Sequence, residues 1–389
     1  MIEGSTRWRN LGVAAGGATA VLFAIFDVYQ WVAAYASDRY HNDFTFYVAA
    51  ARIGLQHGWG SIYDLGLQQA QLDAMGSRIT IAELARYISP PPVAWLALPF
   101  TALPYEAAYW AWSGLLLIAL AATWRLASPG HGPARVIWLA AAVGWLPVIY
   151  GLQLGQPGLF VALGVAGSYA LLRSGRHFLA GLALGALALK PQLAFLVPLA
   201  LLVAGQRRAF VGSAVALGLL ALASIAALGA GGVHAYLDRL NFASSVPVNR
   251  ELTLAYLVGD AARPVQMFVA VWTMLMSYRL RARGVEWVYA CALVGGMLAT
   301  PYVHLDDLVM LGLGGWLLLR ARTSLTTTGC VLLGALAIEG QPIWGPLPVV
   351  LVEIGALALL SAEALRREPA PAALQPAAAG RSPQPTTLR

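Results

Sequence analysis

Long apolar runs, separated by short polar connections, fill most of the sequence. The first extends from about Leu11 to Ala34 and follows two basic residues, Arg7 and Arg9. A helix of about 20 apolar residues crosses the hydrocarbon core of a bilayer. Similar runs predict crossings near 105–126, 134–152, 157–172, 177–189, 191–205, 209–230, 264–280, 285–300, 305–319, 323–340 and 346–365. The pattern therefore predicts about twelve transmembrane helices.

The first run could instead be a cleavable signal peptide, because Ala34-Tyr35-Ala36 resembles a small-residue cleavage site. Its apolar part is longer than a usual signal core, and many more apolar runs follow. Both features favour a first transmembrane helix.

The longest stretch without a spanning pattern is 37–89. From Asp43 to Gly54, apolar residues recur at helical spacing, which predicts an amphipathic helix along the membrane interface. A second such helix is predicted from Leu65 to Met75. The apolar piece from Pro90 to Pro104 is short for a crossing, so we interpret it as a re-entrant or broken segment.

Basic residues occur at alternate connections, whereas the connections between them carry little positive charge. The basic connections hold Arg125/Arg135, Arg173/Arg176, Arg207/Arg208, Arg279/Arg281/Arg283, Arg320/Arg322 and Arg366/Arg367. By the positive-inside rule, both termini are predicted to be cytoplasmic, and 37–89 and 231–263 to be extracytoplasmic loops. The composition after residue 366, rich in Ala, Pro and Gln, predicts a disordered cytoplasmic tail at 367–389, after one integral-membrane domain over 1–366.

The composition supports this interpretation. Of 389 residues, 59% are hydrophobic and 11% charged, against roughly 45–50% and about 25% in globular domains. The mean hydropathy is +0.67. These values exclude a soluble domain and a disordered chain, and they predict an all-α polytopic membrane protein, in the plasma membrane by our interpretation.

The remaining composition limits the possible partners. The net charge of +7 comes from scattered basic residues without the basic stripe of a nucleic-acid surface, so we expect no nucleic-acid partner. Cys291 and Cys330 lie in apolar runs, which favours core positions over a disulfide or a metal site. No GxxxxGK[ST] motif occurs, so ATP-driven transport by this chain alone is not expected.

Ionisable groups near membrane depth are functional candidates, because lipid makes them costly. Asp43 opens the first outer helix, where an N-cap is the structural alternative to catalysis. Arg52 follows nine residues later, about two and a half turns, and we expect it near the same side. For Arg52, contact with lipid headgroups is the alternative.

Lys190, the single lysine, precedes Pro191 at an outer junction between two short spans. It could cap a helix C-terminus, but on a side poor in positive charge an anion partner is the better hypothesis. His304, Asp306 and Asp307 form another outer turn. A metal site needs several converging ligands, and their spacing selects none.

Together these residues suit a reaction on a lipid-linked phosphate substrate. A carboxylate can take a proton from an acceptor hydroxyl, while Lys190, Arg52 and His304 can hold a departing phosphate. The aromatic rings of Trp59, Tyr47 and Tyr63 could stack on sugars, although aromatic belts are also usual at membrane interfaces.

Several motifs resemble those of glycosyltransferase family 87, in order, over roughly residues 20 to 320. Asp43-Phe44 with Tyr47, Ala50 and Ala51 resembles the DFxxYYxAA opening of that family. The other matching segments are Ser89-Pro90-Pro91, Leu98-Pro99-Phe100, Leu103-Pro104 with Trp110 or Trp112, Leu152 to Gln156, Ala180-Gly181 to Lys190-Pro191, and Thr300-Pro301-Tyr302 through His304 and Asp307.

The resemblance implies a GT-C fold and an inverting, metal-independent transferase that needs no cofactor. Such enzymes move a sugar, in the better-known members mannose, from a polyprenyl-phosphate donor to a glycolipid or polysaccharide on the extracytoplasmic face. Asp43 matches the catalytic base, and Lys190 and His304 match positions that line the donor cavity. Where family members often have Asn after the glutamine, this chain has Gln156-Pro157-Gly158.

We therefore predict Asp43 as the base and five donor-binding residues, namely Lys190, Arg52, His304, Tyr47 and Gln192. Acceptor-binding or supporting positions are predicted at Gln153, Gln156, Asp306, Asp307 and Tyr63. A transporter or a flippase of lipid-linked substrates is the alternative function. Transporters, however, usually show internal repeats with paired broken helices, and this sequence shows no convincing repeat.

Overall fold

The computed structural model describes residues 2–82, 86–132, 134–321 and 324–366, with side chains described from residue 13 onward. Over these ranges the chain is all-helical, without β-strands. The α-helices are α1 Ile2–Ser37, α2 Asp43–His57, α3 Leu65–Ala74, α4 Pro91–Ala97, α5 Tyr105–Ala127, α6 Ala134–Val143, α7 Leu146–Leu154, α8 Gly158–Arg173, α9 His177–Ala183, α10 Leu196–Val203, α11 Arg207–Ser245, α12 Ala255–Val258, α13 Ala262–Leu280, α14 Val285–Ala299, α15 Val309–Arg320, α16 Leu325–Glu339, α17 Gln341–Trp344 and α18 Leu347–Leu365.

Short 3₁₀ turns interrupt several of the predicted apolar runs. They lie at Trp59–Ser61, Leu98–Ala102, Leu184–Leu189, Pro191–Leu193, Pro247–Arg250, Gly259–Ala261, Arg281–Arg283 and Leu305–Leu308. Proline explains two of the breaks, because it lacks the amide hydrogen that continues a helix. Pro191 follows the turn that extends α9, and Pro247 follows the end of α11.

Four described helices are long and apolar enough to cross a membrane: Val13–Ser37, Tyr105–Ala127, Arg207–Ser245 and Leu347–Leu365. The pair α6 and α7 passes the same test together, although it bends by 56° at the break between its helices. Shorter apolar helices of 10–17 residues occupy several other predicted spans. The fold is therefore that of a helical membrane protein, while the count of about twelve crossings stays a prediction.

The helix α14 lies at the centre of the bundle. Every residue from Trp287 to Leu298 is buried, and the helix packs against α10, α13, α15 and α18. A second group joins α5, α8 and α9, while α1 packs on α6 and α7. A helix that is apolar all round is typical of a buried position.

Two predicted elements differ in position or extent. The helix predicted at the interface, α2, is buried over Phe44–Ala51 and again at Ile53 and Gly54, because α3 and α4 cover it. The predicted loop at 231–263 begins as helix, because α11 continues to Ser245 past a break at Gly229 (φ 62°).

The segment from Pro90 to Pro104 forms the short α4 and a 3₁₀ turn, neither long enough to cross a bilayer. The predicted tail at 367–389 lies outside the described residues.

Candidate active site

A cavity of about 810 Å³ opens among the segments that the sequence analysis placed outside the membrane. It is lined by the start of α2, the stretch 86–90, the end of α7, Lys190 and the turn at 300–305. The end of α11, from Tyr236 to Ser244, also contributes to the lining. The polar and ionisable side chains on its surface include His41, Asn42, Asp43, Tyr47, Arg86, Tyr150, Gln156, Lys190, Gln192, Asn249, Glu251, Tyr302 and His304.

Asp43 is the first residue of α2 and faces this cavity. The N-cap considered for Asp43 belongs instead to Asn42, whose side chain accepts a hydrogen bond from the Thr45 amide at 3.1 Å. The same Asn42 oxygen accepts from the Tyr105 hydroxyl at 3.2 Å. Because Asn42 accepts the hydrogen bond of the first-turn amide of Thr45, the Asp43 carboxylate is available for other contacts.

Gln156 provides the main contact of Asp43, donating its side-chain amide to Asp43 Oδ2. Gly155 caps α7 in the left-handed conformation (φ 71°), which turns the chain and presents Gln156 to α2. Trp112 Nε1 fixes this turn by donating to the Gly155 carbonyl at 2.8 Å. The Tyr47 hydroxyl donates to Gln156 Oε1 at 3.2 Å, so the orientation of the amide is defined from both ends.

The surroundings of Asp43 favour a carboxyl group with a shifted pKa. Burial raises its pKa to about 6, and the nearby charge of Asp306 acts in the same direction. His304, Lys190 and the Gln156 hydrogen bond oppose this shift. A carboxylate with such a pKa is mostly ionised at neutral pH and is a stronger base than an exposed aspartate, as general-base catalysis requires.

Lys190 has two internal anion partners. Its Nζ lies 2.7 Å from Asp306 Oδ2 and also contacts Asp307 Oδ1. All three residues are buried, Asp307 completely. The anion partner predicted for Lys190 is therefore a pair of carboxylates within the chain, although the lysine still lines the cavity.

The two carboxylates of this cluster differ electrostatically. Burial acts to raise the pKa of Asp306, but the Lys190 ammonium holds it below the ordinary value. Burial raises the pKa of Asp307 to about 7, and the neighbouring Asp306 charge adds to the effect. Asp307 also accepts from the His304 backbone amide at 2.9 Å, which fixes the turn that carries His304.

His304 lies on the cavity wall, and its Nε2 is 2.6 Å from Asn249 Oδ1. The Tyr302 ring contacts the imidazole edge-on, with 4.8 Å between ring centroids. Burial lowers the pKa of His304, an effect that Asp306 and Asp43 oppose. His304 is therefore mostly neutral at pH 7.

The structure brings together most, but not all, of the predicted site residues. Asp43, Tyr47, Gln156, Lys190, Gln192 and His304 line the cavity, and Asp306 and Asp307 lie directly behind Lys190. Arg52 does not line it. Nine residues at 100° each amount to half a turn beyond two full turns, so Arg52 points away from Asp43, and the prediction of a shared side was wrong.

Two predicted acceptor-site residues also lie outside the cavity lining. Gln153 contributes its backbone carbonyl, which accepts from the Tyr109 hydroxyl at 2.9 Å. Tyr63 is buried between the rings of Tyr87 and Tyr236, at 5.5 and 5.1 Å between centroids. Because aromatic neighbours cover both of its faces, Tyr63 cannot stack on a sugar.

Among the cavity residues that the sequence analysis did not select, three lie close to the predicted site or add charge to it. Asn249 contacts His304, Arg86 stacks on Phe242 at 4.2 Å, and Tyr150 lies near Asp43 and Asp306. Their segments come together only through tertiary packing, so no spacing along the chain predicts their contacts. The charge of Arg86 inside the outer segment was the one available signal.

The sequence analysis considered a metal site at His304, Asp306 and Asp307 and expected none. Across the described ranges, no group of three or more His, Cys, Asp or Glu side chains has the geometry of a metal site. The resemblance to a metal-independent family thus remains the basis for expecting none.

Comparison with known proteins supports the resemblance. The family model described as glycosyltransferase family 87 matches residues 87–336, which is more than half of the chain. The matched region includes Gln156, Lys190, Asn249 and His304, whereas Asp43 precedes it. No curated protein and no solved structure matches the chain.

Proposed function

The chain belongs to glycosyltransferase family 87, and on that premise we propose that it transfers a hexose, namely mannose, from a polyprenyl-phosphate donor. The acceptor is a glycolipid or polysaccharide on the extracytoplasmic face of the plasma membrane. The single observation that carries this proposal is the Asp43 carboxylate, held by Gln156 on the wall of the 810 Å³ cavity.

The proposed reaction inverts the configuration of the sugar carbon. The acceptor hydroxyl oxygen forms a bond to C1 of the sugar while the bond from C1 to the phosphate oxygen breaks. The acceptor proton goes to Asp43, and the electron pair of the breaking bond leaves with the phosphate. The products are the glycosylated acceptor and free polyprenyl phosphate, and the proton on Asp43 then returns to solvent.

The cavity also holds groups that suit the departing phosphate. Lys190 and His304 lie close to Asp43, and Arg86 adds a guanidinium to the lining. Lys190 is largely neutralised by Asp306 and Asp307, so its contribution to phosphate binding is smaller than that of an unpaired lysine. Arg86 and His304 are therefore the main candidates for contact with the phosphate.

The apolar part of the cavity suits an isoprenoid chain. Its apolar lining residues include Ile79, Ile88, Leu154, Leu189, Leu240, Val248 and Leu252. An apolar wall next to a few convergent polar groups is typical of small-molecule sites. This arrangement supports a lipid-linked donor over a soluble nucleotide sugar.

The test is transfer by purified protein in lipid nanodiscs. The protein receives polyprenyl-phosphate-mannose and a short mannoside acceptor, and mass spectrometry measures both the acceptor and free polyprenyl phosphate. We expect a hexose gain in the wild type and none in Asp43→Asn. Asp73→Asn, which alters an exposed carboxylate on α3, is the matched control and should retain transfer.

The outcomes separate the proposal from its main alternative. A flippase moves the lipid-linked donor between leaflets without releasing polyprenyl phosphate, whereas a transferase releases one molecule for each sugar transferred. Movement of donor without this product would contradict the proposal. Full transfer by Asp43→Asn would leave the family assignment intact but exclude Asp43 as the base.

A further inference from the structure

The hydroxyl of Tyr150 reaches the cavity without a partner among the described residues. Tyr150 lies on α7, where its side chain is half-buried and contributes to the cavity lining. Its Oη forms no hydrogen bond with the described residues, and it is not one of the unpartnered polar atoms that packing seals off. The Tyr47 hydroxyl, by contrast, is already bonded to Gln156 Oε1. The Tyr150 hydroxyl is therefore open to a ligand in the cavity.

The packing of α7 defines where Tyr150 lies. The helix packs on the turn at Leu305–Leu308. An added Cβ on Gly151, the next residue, would lie only 3.4 Å from Asp306 Cβ, so the two backbones are close at this point. The Gln156 amide donates to the Gly151 carbonyl at 2.8 Å, which closes the end of the helix. A side chain on an element held in this way has a defined position before any ligand binds.

Two carboxylates, those of Asp306 and Asp43, interact electrostatically with the Tyr150 hydroxyl. Asp43 is the proposed base, which must contact the attacking hydroxyl of the acceptor. Asp306 is bonded to Lys190 and interacts with His304, and the proposed function assigns both of these residues to the side of the departing phosphate. In an inverting displacement the attacking and departing oxygens lie on opposite sides of C1. A group that is close to both sets of residues therefore lies beside the sugar.

The same carboxylates disfavour an anionic partner for Tyr150. A phosphate oxygen at this hydroxyl would be repelled by the charge of Asp43. The positive charge of Lys190 is already neutralised by Asp306 and Asp307, so it offsets little of that repulsion. A sugar hydroxyl is neutral and, like the phenol, it can both donate and accept a hydrogen bond. The surroundings of Tyr150 therefore favour a hydroxyl of the sugar over the phosphate.

We propose that the Tyr150 hydroxyl binds one hydroxyl of the sugar that is transferred, and that Tyr150 thereby contributes to the choice of sugar. This inference rests on the proposed function, because it assumes a sugar donor in the cavity. A sugar that lacks this hydroxyl, or directs it elsewhere, leaves the phenol without a partner. Sites that bind a substrate hydroxyl reject analogues without it, because the polar group of the protein then stays unpaired.

Donor analogues identify the contact. In each analogue of polyprenyl-phosphate-mannose, hydrogen replaces one sugar hydroxyl, at C2, C3, C4 or C6. Transfer to the mannoside acceptor in nanodiscs gives kcat/KM for the wild type and for Tyr150→Phe. With the complete donor, we expect Tyr150→Phe to lose roughly tenfold. With one analogue the two proteins should be equally active, because neither can form the hydrogen bond, and with the others the tenfold difference should remain.

The comparison is a double-mutant cycle between a side chain and a substrate group. Removal of a sugar hydroxyl also changes the intrinsic reactivity of C1, but it does so equally for both proteins and cancels in the ratio of their rates. If Tyr150→Phe acted only through the shape of the cavity, the ratio would be the same with every donor. A ratio that disappears only with a deoxygenated acceptor would assign Tyr150 to the acceptor and overturn the proposal.

Tyr256→Phe is the matched control, since it makes the same change at an exposed tyrosine outside the cavity lining. It should transfer at the wild-type rate with every donor. Because the Tyr150 hydroxyl bonds to no described residue, Tyr150→Phe should unfold at the wild-type temperature. A marked loss of stability would show that the hydroxyl supports the fold, and it would overturn the proposal.

The wild type separates the failure of this inference from that of the proposed function. If the wild type transfers mannose, an equal ratio with all donors, or full activity of Tyr150→Phe, overturns the role of Tyr150 alone. If the wild type binds the donor without transfer, dissociation constants from calorimetry replace the rates in the same comparison. Neither transfer nor donor binding by the wild type would overturn both.

Discussion

Gln156 donates a hydrogen bond from its side-chain amide to the carboxylate of Asp43. This bond connects the residue after the Gly155 cap of α7 to the first residue of α2. The bond favours the ionised carboxylate and so opposes the effect of burial. With it, the pKa of Asp43 is about 6. The contact thus keeps a buried carboxylate able to act as a base at neutral pH.

Removal of this contact should shift the pH dependence of transfer. A general base works only when ionised, so the wild-type rate should fall as the pH decreases below about 6. In Gln156→Leu the pKa of Asp43 rises further, and the acidic limb of the rate profile should move up by about one pH unit. Gln341→Leu, elsewhere in the cavity lining, should leave the limb in place; an unchanged limb in both variants would contradict the role of Gln156.

Asp43→Asn should lose activity and gain stability. General-base catalysis contributes roughly 10²- to 10⁴-fold, so transfer should fall by that factor. The pKa of Asp43 is raised in the folded protein, so its ionisation destabilises the fold as the pH rises from about 4 to above 6. Above pH 7 the variant should therefore be more stable than the wild type, by on the order of 1 kcal/mol.

Thermal unfolding followed by tryptophan fluorescence at pH 4.5 and pH 8 tests this prediction. The gain should be present at pH 8 and largely absent at pH 4.5, whereas the control Asp73→Asn should show no gain at either pH. A variant that is less stable than the wild type at pH 8 would contradict the electrostatic account of Asp43.

The sequence predicted the membrane class and the family, and the family match confirms the latter. It also selected Asp43, Gln156, Lys190 and His304, which lie in four separate segments and meet in one cavity. The sequence could select these residues because polar and ionisable side chains are rare in apolar spans and each therefore stands out; their roles in catalysis and binding stay predictions.

The remaining features depend on tertiary packing. Lys190 is neutralised by Asp306 and Asp307 because two turns that are more than a hundred residues apart in the chain approach each other in the fold. The contact between Asn249 and His304 depends on tertiary packing in the same way, because no pattern along the chain reveals it. Helix ends were equally hard to place, because an apolar run looks continuous where a 3₁₀ turn interrupts it, as at Leu184–Leu189.

Lys190→Met should unfold or strongly destabilise the protein. It leaves Asp306 and Asp307 buried without their cation, and loss of one partner from a buried ion pair costs about 3–5 kcal/mol. Addition of Asp306→Asn and Asp307→Asn removes the uncompensated charge and should restore most of the thermal stability. If Lys190 mattered only for binding the donor phosphate, Lys190→Met alone would keep its stability and the two further changes would restore nothing.

An ion pair near the surface gives the control for Lys190. Arg173 lies 3.1 Å from Glu286, and 49% of its side chain is exposed. Exposed pairs contribute about 0–1 kcal/mol. Arg173→Met should therefore lower the unfolding midpoint only slightly, and a loss as large as that of Lys190→Met would show that burial is not the cause.

Gly155→Ala should damage the site through the shape of the backbone. A non-glycine residue in the left-handed conformation costs on the order of 1 kcal/mol, and the added Cβ would also lie 2.8 Å from Phe44 Cβ. Gly175 has nearly the same conformation (φ 75°) after α8, but an added Cβ there meets no atom within 4 Å. Gly175→Ala therefore carries the backbone strain without the overlap.

The difference between these two variants measures the packing of Gly155 on Phe44. We expect Gly155→Ala to lose a further 1–3 kcal/mol or so, because overpacking costs about that much. It should also reduce transfer at least tenfold, since the displaced turn carries Gln156 away from Asp43. Gly175→Ala should transfer at close to the wild-type rate. Equal losses of stability and activity in both variants would show that backbone strain alone accounts for the glycine at 155, and that the turn does not position Gln156.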